Sequence, residues 1–136
     1  MAAIHLLNRT YDETLALLVA ARNYMSYAVP SARPELGPAQ RLRVSCESMR
    51  VTARLSHVMA WLLAQKAVQA GELTAHEAAE AYRLTEDDIF LLESDTGLDD
   101  LPPGLRDLLH KSRALYIRVT RLDALVRRSA TEQAGA

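Results

Sequence analysis

The side chains with the most chemical potential lie between residues 43 and 61. Arg43, Glu47, Arg50, Arg54, His57 and Trp61 recur at spacings of four, three, four, three and four. On a helix this places all six on one face. Arg and Trp are among the residue types most enriched where interfaces concentrate their binding energy, and Trp61 is the single Trp of the chain. The stripe reads as a partner-binding face. The competing reading is a solvated face, with Glu47 flanked by Arg43 and Arg50.

Other chemistries find less support. The four His, at positions 5, 57, 76 and 110, offer no pair at a spacing of three or four. A metal site with three protein ligands would have to be assembled from distant elements, so none is expected. Cys46, beside Ser45 and Ser48, reads as a small core residue rather than a nucleophile. A lone Cys also excludes a disulfide framework and a thiolate metal cage. There is no Gly-rich phosphate loop and no nucleophile elbow. We therefore expect no catalytic residues, no cofactor and no enzyme.

Two further segments carry charge. Between residues 84 and 104 stand seven acids and no base, with Ile89, Phe90, Leu91 and Leu92 embedded among them. These four residues read either as apolar anchors of a docking loop or as a loop packed back on its own domain. Residues 105–128 reverse the sign, with seven bases and two acids. An Arg cluster is the footprint of phosphate binding, so a small DNA-associated regulator is one alternative function. It is disfavoured: the bases occupy more than one strip, the pI is about 6.4, and no stacking platform accompanies them.

Positioning these residues falls to helices. The chain has 136 residues, of which 22 are Ala and 22 Leu, against 5 Gly and 5 Pro. Those two residues rank high in helix propensity, and this length fits one domain. A first run spans about Thr10 to Val29, opened by the capping-box pair Thr10 and Glu13. A second spans about Ala39 to Ala70, stopped by Gly71. It carries two apolar ridges: Val44, Val51, Leu55, Val58 and Leu62, and Leu42, Met49, Ala53, Ala60, Leu63 and Ala67. Two ridges imply two neighbours. A short helix follows the capping-box pair Thr74 and Glu77. A third long run spans about Leu105 to Arg128. Its Leu105, Leu108, Ser112, Leu115, Val119, Leu122 and Val126 alternate spacings of three and four, the pattern of a helix packed along another.

The expected fold is all-α: an antiparallel, up-down-up three-helix bundle with a short extra helix between the second and third. It forms a single domain over residues 1–136, with a frayed tail from about 129. The long second helix should leave apolar surface uncovered, which favours a homodimer. A purely structural homodimeric scaffold is the other alternative function. The longest apolar stretch of the first run, Leu15 to Ala21, is far short of a bilayer span, so no membrane insertion is expected. The lone Cys and the absence of a leader pattern suggest a cytoplasmic protein.

The block Glu47-Ser48-Met49-Arg50-Val51-Thr52-Ala53-Arg54-Leu55 continues into Ala60-Trp61-Leu62-Leu63-Ala64-Gln65-Lys66-Ala67-Val68 and Gly71-Glu72-Leu73-Thr74. Together with Leu101-Pro102 and the run Ser112 to Asp123, it resembles the regulator of CtrA degradation (RcdA) family of alphaproteobacteria, over most of residues 10–128. The resemblance implies a dimerising three-helix bundle without catalytic activity. It implies an adaptor that tethers cargo, CtrA-like cell-cycle regulators among it, to the ClpXP protease. The implied partners are ClpXP with its response-regulator primer, cargo proteins and a cyclic-di-GMP-binding co-adaptor. The implied location is the cytoplasm, with the cell pole as a site within it. Arg50, Arg54 and Trp61 fall inside the matching block.

Overall fold

The computed structural model describes residues 2–28, 36–84 and 99–134. Within them the chain forms α1 (Ala2–Asn23), a π-helical turn (Tyr24–Ala28), α2 (Pro38–Gln69), α3 (Ala75–Ala81) and α4 (Pro103–Ala134). No strand occurs among the described residues. The all-α bundle of three long helices and one short helix is the architecture the periodicity predicts.

Local chemistry explains where the helices start and stop. Gly71 ends α2 with φ +77°, a left-handed conformation that costs glycine little. The amide of Glu72 donates to Ala67 O at 2.9 Å and that of Gly71 to Val68 O at 3.1 Å, the two bonds of a Schellman cap. Thr74 caps α3 as its spacing predicts, its Oγ1 accepting from Glu77 N at 3.1 Å.

Two boundaries differ from expectation. The helix α1 begins eight residues before Thr10, which lies inside it and is 4% exposed. Its hydroxyl donates to Leu6 O at 2.8 Å, so it satisfies its own helix instead of capping one. The helix α4 begins at Pro103, two residues before the expected start at Leu105. Proline is well placed in the first turn, where its missing N–H has no helical partner to lose. The helix then continues past Arg128 to Ala134.

The first apolar ridge of α2 is the core: Val44, Val51, Leu55, Val58 and Leu62 are buried. So are Leu105, Leu108, Ser112, Leu115 and Val119 of α4, with Leu7, Tyr11, Leu17 and Leu18 of α1 packed against them. The helix directions depart from the expected up-down-up order. Arg118 pairs with Glu13 and Gly104 stands against the Tyr24 ring, so numbers fall along α4 as they rise along α1 and the two helices are antiparallel. Lys66 sits over the Tyr11 ring at 4.0 Å. Between α2 and α4, Gln40 reaches Asp100, Arg54 reaches Ser112 and Trp61 reaches Asp123. The two sequence numbers rise together, so α2 and α4 are parallel. The long connection that contains α3 returns the chain from one end of the bundle to the other, which a short turn would not allow.

Candidate partner-binding site

The stripe on α2 faces the seam with α4 over much of its length. Trp61 is 1% exposed and its Nε1 donates to Asp123 Oδ1 at 2.8 Å. The second oxygen of Asp123 accepts from Arg127 Nε at 2.9 Å and from the Leu84 amide at 3.3 Å. Arg127 in turn donates through Nη2 to Ala79 O at 2.7 Å. One buried carboxylate thus ties α2, α4, the end of α3 and the chain leaving it.

Arg54 is fully buried. Its Nη1 donates to Leu109 O at 2.9 Å and approaches Ser112 Oγ at 3.3 Å. A guanidinium is retained in a core only where its donors are met, and the Leu109 carbonyl of α4, which also accepts from Ser112 Oγ at 3.1 Å, meets one of them. Glu47 is buried too and accepts from Arg50 Nη1 at 2.7 Å. Arg43 is half-buried and pairs with Asp100, in the turn just before α4. Of the six stripe residues, only His57 is exposed.

His57 borders an open cleft of about 430 Å³, together with Ser56, Ala60, Trp61, Ala81, Tyr82, Arg83 and Leu84. The Trp61–Asp123 bond holds the floor of this cleft, and the Leu84–Asp123 bond holds one wall. Sequence reasoning did not single out Tyr82, Arg83 or Asp123. The first two lie past the end of a seven-residue helix and have no periodicity to mark them. Asp123 does carry a signal: it is four residues before Arg127 and next to the inward-facing Leu122.

The apolar ridge expected to meet a second neighbour is instead open. Leu42, Met49 and Leu63 are 66%, 68% and 51% exposed, with Ala53 and Ala60 half-buried between them. Cys46, expected in the core, lies exposed on this same side of α2. The helix therefore turns much of its polar stripe inward and an apolar ridge outward. Ile89, Phe90, Leu91 and Leu92 lie outside the described residues. Among the described residues no group of three His, Cys, Asp or Glu could hold a metal, and no helix is long and apolar enough to cross a membrane.

Among the described residues the arrangement offers an open cleft and exposed ridges. No curated protein matches the chain. Among solved structures, RcdA from Caulobacter crescentus CB15 superimposes with a TM-score of 0.73 at 32% sequence identity. The match covers 89% of this chain and 91% of that one. The family model described as "Protein of unknown function (DUF1465)" matches residues 1–136. The chain belongs to this family, which is the family of RcdA.

Proposed function

We propose that the protein is a non-enzymatic, cytoplasmic adaptor of the RcdA type, working in regulated proteolysis. The observation that carries this reading is the joint likeness to RcdA in sequence and fold along nearly the whole chain. The adaptor holds cargo, a CtrA-like cell-cycle regulator, at ClpXP in company with the response-regulator primer and a cyclic-di-GMP-binding partner. It acts at the cell pole. Tethering raises the local concentration of cargo at the protease and needs no chemistry of its own. The surroundings of the stripe form the partner site: His57, Arg43 and Arg50 at its edge, with Glu47, Arg54 and Trp61 as the buried support. Ile89, Phe90, Leu91 and Leu92 supply a docking loop. A second copy of the chain covers Leu42, Met49 and Leu63, because an apolar ridge of this length is an unfavourable surface to leave in water.

Reconstitution tests the reading. Purified ClpX, ClpP, the primer, the co-adaptor and CtrA are mixed with and without this chain, and CtrA is followed by gel. Degradation should accelerate when the chain is added, and His57→Glu with Arg83→Glu should remove the acceleration while circular dichroism stays unchanged. No acceleration by the unaltered chain rejects the adaptor reading. Acceleration that survives the double variant rejects the site.

A further inference from the structure

The helix α4 carries a second seam on the side away from the core. His110, Ala114, Ile117, Arg121, Ala124 and Arg128 follow spacings of four, three, four, three and four. All are exposed except Ile117, which is half-buried. This is the register of a helix that packs along another helix, and the inward seam has already used the opposite face. Over 18 residues the outward seam extends about 27 Å.

Its charge is one-sided. The other bases of α4 have acidic neighbours: Lys111 pairs with Asp107, Arg118 with Glu13, Arg127 with Asp123, and Arg106 stands 4.0 Å from Asp99. No such pair involves His110, Arg113, Arg121 or Arg128 among the described residues, and Arg113 Nε is buried without a hydrogen-bond partner. Between His110, Arg113, Arg121 and the paired Arg118 lies an open groove of about 560 Å³ floored by Ala114 and Ile117. Small residues flanked by cations admit a close helix that brings carboxylates with it.

We propose that this face docks an acidic amphipathic helix of a partner protein. The same face of a second copy is excluded by like charge, since bases would meet bases across a symmetric contact. Nucleic acid is disfavoured because the middle of the face is apolar, with no aromatic on which a base would stack. The inference rests on reading the protein as a binder of proteins, and it does not depend on which protease or cargo is served.

The probe is a labelled synthetic helix of three heptads, with Leu and Ala along its seam and Glu flanking it. It is titrated into the full chain and followed by fluorescence anisotropy. A peptide of the same composition in scrambled order and a 20-base-pair DNA duplex are titrated alongside. The helix should bind saturably, the scrambled peptide and the duplex at least about tenfold more weakly. Arg121→Glu with Arg128→Glu should weaken the helix at least about tenfold, and a probe with Lys in place of Glu should restore binding to that variant. Both positions are exposed, so the fold should be kept, and circular dichroism checks it. No binding of the helix, equal binding of the scrambled peptide, tighter binding of DNA, or indifference to the double variant would each overturn the proposal. Acceleration of CtrA degradation alongside any of these results would reject this face alone and leave the adaptor reading standing.

Discussion

Trp61 and Asp123 meet across the α2–α4 seam at 2.8 Å, indole nitrogen to carboxylate oxygen. The bond lies 62 residues apart in sequence and is almost wholly removed from water. Asp123 also receives the Leu84 amide and the Arg127 guanidinium. The single Trp of the chain is therefore a structural anchor, and it positions the cleft beside His57 without offering itself as the surface.

The anchor predicts an asymmetry between two substitutions. Trp61→Phe keeps an aromatic ring but leaves Asp123 Oδ1 without its donor, and should cost about 1–3 kcal/mol. Asp123→Ala removes the acceptor for three donors at once and should cost about 3–5 kcal/mol. The pair should be non-additive, because they share one bond. Urea unfolding followed by circular dichroism gives all four corners of the cycle, and additive costs would show that the bond contributes nothing.

Arg54 leads to a second prediction. It has no exposed surface, so Arg54→Ala should create a cavity and leave Leu109 O with one donor fewer. The expected loss is about 2–5 kcal/mol. Arg54→Lys keeps the charge but not the planar fork, and should fall between Ala and the native residue. Thermal unfolding ranks the three. A variant as stable as the native chain would mean that the guanidinium is not held as described.

The sequence carried the core of this fold well and its surface less well. The inward seam of α4 was legible because Leu105, Leu108, Ser112, Leu115 and Val119 keep one register of threes and fours. The first ridge of α2 was legible for the same reason. The polar stripe was misread in one respect: Arg54 and Trp61 share its spacing, and the expected face was open. Periodicity reports which residues share a face and not which neighbour that face meets. The neighbour was set by the parallel course of α4, and that course depends on a long connection whose path leaves no periodic trace. Met49 and Leu63 read as core for the mirror-image reason, since apolar type alone does not tell an intramolecular contact from an open ridge.

Tyr24 makes a pH prediction. Burial raises its hydroxyl pKa above the usual 10.0, and a backbone hydrogen bond with Leu105 offsets part of the shift. The folded chain thus favours the neutral phenol. The unfolded chain releases this proton near its ordinary pKa, whereas the folded chain holds it to higher pH. The stabilisation from Tyr24 is full below pH 10 and is lost as the pH climbs beyond. Tyr24→Phe should therefore show a shallower fall in stability above pH 10 than the native chain, measured by urea midpoints. Identical slopes would remove the assignment.

The same ring makes Gly104 necessary. A Cβ added at Gly104 would stand 2.8 Å from Tyr24 Cε2 and 3.1 Å from Cδ2, closer than carbon atoms pack. The ring is half-buried and hydrogen-bonded to the start of α4, so it does not swing aside freely. Gly104→Ala should then cost about 1–3 kcal/mol by overpacking. In an unobstructed helix the same change should gain up to about 1 kcal/mol, because alanine has the higher helix propensity. The sign should accordingly reverse in a Tyr24→Ala background, where the obstructing ring is gone. Chemical denaturation of the four chains decides the matter: a penalty that persists without the ring would place the constraint in the Gly104 backbone and not in its contact with Tyr24.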